Sequence, residues 1–130
     1  MKTFSEIQRN KTEQAGINTE KTLRTYTASY DAGCVAFPSW RLGNLHLTEQ
    51  HLFFVQVQKV IFRIPVDRIA QIKLVKRRWI LGKRVLQLHI QWNANGFKRR
   101  VFIAVKEPQV WKKEIEIQKA ISEKNDKLNV

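Results

Sequence analysis

The sequence predicts a mostly β fold: a run of antiparallel strands closed by one C-terminal amphipathic helix. Three observations predict it. Between residues 23 and 105, apolar and polar residues alternate in segment after segment, the period of a half-buried strand. The tetrad Asn93-Ala94-Asn95-Gly96 sits between two such segments, and Asn and Gly tolerate the positive φ of a tight hairpin. From Pro108 the period lengthens to that of a helix, with Val110, Trp111, Ile115, Ile117 and Ile121 on one broad face and Lys and Glu opposite. A small sheet or barrel leaves an open end, and a helix with an apolar stripe can plug it.

Residues 1–22 are polar, carry mixed charge and hold no sustained period, so they read as a flexible or partly helical arm. "LRTYTASY", from Leu23, is a Thr- and Tyr-rich strand. Asp31-Ala32-Gly33 is a turn, followed by a short strand Cys34–Phe37 that Pro38-Ser39 stops. "GNLHLT" puts Leu45 and Leu47 on one face, and "LFFVQVQ" and "VIFRI" make two strands around a turn at Gln58-Lys59. Pro65 ends the second of these because it cannot donate to a ladder. "IAQIKLVKRRW" then opposes Ile72 and Leu74 to Gln71 and Lys73, and "RVLQLHIQW" opposes Leu86, Leu88, Ile90 and Trp92 to Gln87, His89 and Gln91. "FKRRVFIAV" is the returning strand, the helix begins at Pro108, which suits a first turn, and residues 125–130 fray. The domain spans residues 23–124.

A chain of 130 residues is most simply one domain, long enough to bury a proper core. One cysteine, Cys34, allows no internal disulfide and favours a reducing compartment. The N-terminal residues lack the apolar region of a secretory signal, and no run approaches the roughly 18 apolar residues that span a bilayer. The expected location is cytoplasmic, peripheral at the membrane.

The net charge of +13 is unevenly distributed. Residues 1–50 carry six basic and five acidic residues, and residues 107–130 five of each, whereas residues 51–106 carry thirteen basic residues and one acid, Asp67. Such a field attracts polyanions: acidic lipid, an acidic protein surface or nucleic acid.

Little in the chain suggests catalysis. His46, His51 and His89 are isolated, without metal-ligand spacing, and His46 and His89 occupy outward positions of alternating strands. Cys34 reads as a small buried hydrophobe. Asp67 stands alone in the sheet, placed to fix a turn, and the five glycines form no phosphate-cradling loop. No catalytic residue, metal or cofactor is expected.

The pattern Gly43-x-Leu45-x-Leu47-Thr48-x-x-x-Leu52-x-Phe54, then Ile64-Pro65-x-x-x-Ile69-x-x-Ile72, resembles the core of GRAM (bacterial-type) and related pleckstrin-homology-like domains. The resemblance runs on through the Asn-Gly hairpin to the helix carrying Trp111, roughly residues 23–122. It implies a seven-stranded, bent antiparallel barrel closed by the C-terminal helix, in a family whose members mostly bind phosphoinositides, other anionic lipids or proteins and are not enzymes. The segment Asp31–Trp40, where lipid-binding relatives carry a basic signature, has no Lys or Arg.

The expected anionic-ligand site is therefore elsewhere. Alternation places Lys73, Arg77, Trp79, Gln87, His89, Lys98, Arg100 and Phe102 on one face of three strands. That register turns the first hairpin at Leu81-Gly82-Lys83, sets Lys73 beside Gln91, and sets His89 opposite Arg100. "KRRWILGKR" adds Lys76, Arg78, Lys83 and Arg84 around an apolar Trp79-Ile80-Leu81 centre. An adaptor for an acidic lipid or acidic protein surface is the first reading. The alternative is homo-oligomerisation, a homodimer for example, through outward apolar residues Phe53, Val55, Val57 and Ile61, unless the arm or a strand bend covers them. Nucleic-acid binding ranks third, since no recognition signature accompanies the basic face.

Overall fold

The computed structural model describes residues 21–33 and 37–128. Seven antiparallel strands, β1 (Thr22–Asp31), β2 (Trp40–Thr48), β3 (His51–Gln56), β4 (Lys59–Pro65), β5 (Ile69–Arg78), β6 (Arg84–Ala94) and β7 (Phe97–Val105), precede one helix, α1 (Pro108–Leu128). The sheet order is β4-β3-β2-β1-β7-β6-β5. The expected barrel is thus a single bent sheet that does not close, because β4 and β5 are its two edges and share no ladder. Between them lie a short 3-10 turn, Val66–Arg68, and α1, which packs on that turn and on β5 and β6. The strand expected at residues 34–37 falls largely outside the described residues, as does the arm apart from its last two positions. α1 runs to Leu128, beyond the expected boundary at residue 124.

The core follows from the alternation. Leu45 and Leu47, Leu52 and Phe54, Ile64, Leu88 and Ile90, and Val101, Ile103 and Val105 all point into the bend and are buried with Val66, Ile69, Trp111 and Ile115. Beside them Tyr30 stands edge-on to Phe54 and Phe62, with ring centroids 4.8 and 5.7 Å away. Gly43 belongs to the packing pattern because Phe54 crosses β2 there. A Cβ at residue 43 would lie 2.6 Å from Phe54 Cε1 and from the Val55 carbonyl oxygen. Thr48 closes the β2–β3 turn, its hydroxyl oxygen accepting from the backbone N–H groups of Gln50 and His51.

Of the five apolar residues on the expected helix face, only Trp111 and Ile115 enter the core; Ile117 and Ile121 are exposed. The buried stripe is narrower than the apolar one because a bent sheet end receives one turn-to-turn row of side chains. Each hairpin settles on a register of its own. Asn95 and Gly96 both have positive φ, 52° and 82°, so the β6–β7 turn has two residues and pairs Ala94 with Phe97. His89 therefore faces Phe102, and Gln91 faces Arg100, two residues from the expected register. On the other side Lys73 faces His89 and Val75 faces Gln87. Slips of two keep each side chain on its expected face, since the strand period is two. The β3–β4 turn holds Val57 and Gln58, with Gln56 paired to Lys59, so Val57 lies in the turn at φ 54° instead of on a strand face.

Candidate functional site

The outer face of β5, β6 and β7 carries the expected group, Lys73, Arg77, Gln87, His89, Arg100 and Phe102, but the structure divides it into two kinds of residue. Some are tied into the sheet. The Arg77 guanidinium lies 3.7 Å from the Phe102 ring centroid and donates to Gln87 Oε1 (3.3 Å) and Asp31 Oδ2 (3.2 Å). On the far side of this cluster the His89 ring stacks on Phe102, 4.4 Å between centroids and 12° between planes. Trp79 folds back across the face and donates its indole N–H to Ser29 Oγ at 2.8 Å. Arg77 and Trp79, expected as ligand contacts, therefore serve as internal ties. An Arg or Trp on an outward position still finds partners when the sheet bends enough to bring β5 over β1.

Asp31 anchors the same network from β1. Its Oδ1 accepts from the backbone N–H of Gly33 and of Ser39, both at 2.9 Å, which holds the β1–β2 loop closed at its base. This loop is the one without Lys or Arg, and its one acid is spent on loop geometry and on Arg77.

Among the described residues the others have no such ties. Lys73, Lys98 and Arg100 are exposed on the sheet face, and Lys76, Arg78, Lys83 and Arg84 are exposed around the β5–β6 hairpin. Lys98 pairs with Asn93 near one end of β6, whereas Arg84 begins that strand, so the two basic groups stand about 30 Å apart at the usual strand rise. The hairpin itself is a compact turn: Trp79 N–H donates to the Lys83 carbonyl (2.6 Å) and Gly82 N–H to the Trp79 carbonyl (3.0 Å). Leu81 sits at its tip with φ 62°, fully exposed, beside the partly exposed Ile80. A leucine in the left-handed region is uncommon, and one with no buried surface gains nothing from packing to offset it.

The outward apolar patch differs from expectation. Phe53 is 1 % exposed and Val55 3 %, clustered with Val60, while Ile61 packs against the main core. Val57 alone of the four is exposed, and it belongs to the turn. His46, paired with Phe53 across the ladder, is likewise buried although it occupies an outward position. Burial pushes the His46 imidazole down to about 4, and its Nδ1 has no hydrogen-bond partner among the described residues. His89 is also lowered, first by burial and then by the neighbouring charges of Arg100, Lys73 and Arg77. Among the described residues no group of three His, Cys, Asp or Glu could hold a metal ion, and no helix is long and apolar enough to cross a membrane.

A network that the sequence did not announce joins β1 to α1. Arg24 Nη2 donates to Glu114 Oε1 at 2.9 Å, and its guanidinium lies 5.8 Å from the Trp111 ring. The hydrogen bond to Glu114 raises Arg24 further above its usual range. No sequence signal pairs residues 90 positions apart.

No family model matches the chain, and no curated protein matches it. Solved structures do. The chain is similar to the DH/PH domains of PDZ-RhoGEF in complex with GTP-γ-S-activated RhoA, with a TM-score of 0.56 and 12% identity over 88% of this chain and 35% of that one. It is also similar to a point mutant of the DH/PH domains of p115-RhoGEF, with a TM-score of 0.55 and 8% identity over 91% of this chain and 38% of that one. The chain thus spans little more than a third of either, and at such identities the likeness is one of fold. The fold is pleckstrin-homology-like.

Proposed function

We propose that the chain is a non-catalytic adaptor module, pleckstrin-homology-like and of GRAM type on the sequence pattern around Gly43–Phe54, which attaches peripherally to an anionic membrane from the cytoplasmic side through the β5–β6 hairpin. The observation that carries the reading is Leu81: fully exposed, at a left-handed φ, between Lys76, Arg78, Lys83 and Arg84 and without an acidic neighbour in the hairpin. Leu81 differs from Val57, which is also exposed and apolar at a left-handed φ, in the four cations around it. Each cation near an anionic surface contributes about 1 kcal/mol, and full burial of a leucine about 1.5–3 kcal/mol. Together these amount to reversible, salt-sensitive attachment. The basic face at Lys73, Lys98 and Arg100 adds to the long-range attraction without touching the bilayer at the same time as the tip.

Co-sedimentation with phosphatidylserine-containing vesicles tests the reading. Binding at about 50 mM salt that falls steeply with added salt, and that Leu81→Asp abolishes, is the expected result. A wild-type protein that stays in the supernatant at low salt refutes it.

A further inference from the structure

Phe53 and Val55 are buried on the side of the sheet that faces away from the core. Leu52 and Phe54 point into the bend, so Phe53 and Val55 point out of it, and with Val60 they form an apolar cluster separate from the main one. His46, which faces Phe53 across the β2–β3 ladder, is buried on the same side. The outer face of a bent sheet is convex, so its side chains splay apart and do little to cover one another. Thr25 and Thr27, beside His46 and Asn44 on that face, are accordingly exposed, and so is Leu42. The β2–β4 part of the face needs a cover of its own. The described residues do not supply one. His51 and Arg63 reach the Phe53 ring, at 5.4 and 5.6 Å from its centroid, but they come from its own strand and from β4. Among the described elements β3 packs chiefly on its ladder neighbours β2 and β4, while α1 packs on the 3-10 turn, β5 and β6.

Position selects the cover. Residues 1–20, 34–36 and 129–130 lie outside the described residues. Residues 34–36 belong to the β1–β2 loop, whose base Asp31 pins at the Trp40 end of β2. His46 is six residues further along that strand, about 20 Å away at the usual rise, and three residues between Gly33 and Phe37 cannot span that distance out and back. Residues 129–130 follow α1, which packs elsewhere. The N-terminal arm, by contrast, joins the sheet at Thr22, which pairs with Thr48, two residues from His46 and two strands from Phe53. That separation is roughly 12 Å, which 20 residues span several times over. The large apolar residues of the arm are Met1, Phe4, Ile7 and Ile17. They are too few for a core of their own and enough to cover a patch of this size.

We propose that the outer face of β2, β3 and β4 is a docking surface for this chain's own residues 1–20, with Phe4 and Ile7 foremost in covering Phe53, Val55 and His46. The arm occupies in cis the apolar surface through which two copies would otherwise pair. The chain carries its own partner for that face, and attachment through the β5–β6 hairpin does not depend on it.

Nuclear Overhauser spectra of the whole isotope-labelled chain test this. Contacts are expected from the Phe53 ring and the Val55 methyl groups to side chains within residues 1–20. In a mixture of labelled and unlabelled protein, the spectrum filtered for contacts between copies should lack them. A second measurement uses the full chain with Phe4→Asp and Ile7→Asp together. The resonances of His46, Phe53, Val55 and Val60 should move, those of Leu88 and Ile103 in the main core should stay, and anilinonaphthalene sulfonate fluorescence should rise severalfold as the patch is uncovered. The unmoved core resonances show that the variant is folded. Absence of any contact between Phe53 or Val55 and residues 1–20 overturns the proposal. So does contact to residues 34–36 instead, or contact seen only between copies. A double variant that leaves His46, Phe53 and Val55 unmoved overturns it as well. None of these outcomes bears on vesicle binding by the hairpin.

Discussion

Arg77 on β5 and Asp31 on β1 meet at 3.2 Å, although 46 residues and two intervening strands separate them. The carboxylate side chain is 4 % exposed and the guanidinium 21 %. One oxygen of Asp31 receives Arg77 and the other receives two backbone N–H groups of the β1–β2 loop, so one side chain ties the loop to the far hairpin strand. Asp31→Ala leaves three donors to find water. A loss of about 2–3 kcal/mol in urea unfolding is expected, with Asp31→Asn losing less because the amide oxygen still accepts. An Asp31→Ala protein as stable as the wild type would show that the ties are incidental.

Trp79 and Leu81 are two residues apart and should respond in opposite ways. Trp79→Phe keeps an aromatic ring over the face but leaves the buried Ser29 hydroxyl without its indole donor, a cost of about 1 kcal/mol in stability. Vesicle binding should survive it. Leu81→Asp buries nothing and places a residue more tolerant of positive φ at the tip, so the melting temperature should hold while vesicle binding is lost. If Trp79→Phe and Leu81→Asp affect membrane attachment equally, the division between tie and tip is wrong.

His46 makes stability depend on pH. Its folded pKa, about 4, lies below the ordinary 6.5, so the unfolded chain binds the proton first. Stability contributed by the neutral, buried ring is present above pH 6.5 and is lost as pH falls through the window from 6.5 to 4, by about 3 kcal/mol in all. His89, lowered as well, acts in the same direction. Urea midpoints measured at pH 7 and pH 4.5 should fall accordingly. His46→Leu should flatten most of the slope, and an unchanged slope in that variant would assign the effect elsewhere.

Val57 occupies a turn position at φ 54° with its side chain 71 % exposed. A β-branched residue there is strained and has little packing to lose. Val57→Gly or Val57→Asn should raise stability by about 1 kcal/mol, measured by thermal unfolding. A destabilised glycine variant would mean that Val57 is held by contacts its exposure does not suggest.

How much was legible varies with the physics of each element. On β5 and β6 the strand faces read correctly because alternation is a local property: Leu88 and Ile90 are buried, and Lys73, Gln87 and His89 share the opposite face. On β4, beside the register shift at Phe54/Val55, Ile61, expected outward, packs against the main core. Registers did not, because a hairpin's register depends on turn conformation. The choice between a two-residue turn at Asn95-Gly96 and a four-residue turn over Asn93–Gly96 moves every pair by two. The helix's apolar stripe was visible, but which of its residues would be covered was not, since Ile117 and Ile121 differ from Ile115 only in what faces them.

The candidate site shows the same limit at larger scale. Residue types and alternation alone determined that the middle of the chain is basic, that one face of β5–β7 collects the cations, and that the hairpin from Lys76 to Arg84 ends in an apolar turn. Only the bend of the sheet decided that Arg77 and Trp79 turn inward to Asp31, Phe102 and Ser29, and that Leu81 stands free. Alternation fixes the side of a strand on which a residue lies, through the geometry of adjacent peptide units. Which side chains meet across that side depends on twist and strand order, and these are set by the packing of residues far apart in the chain.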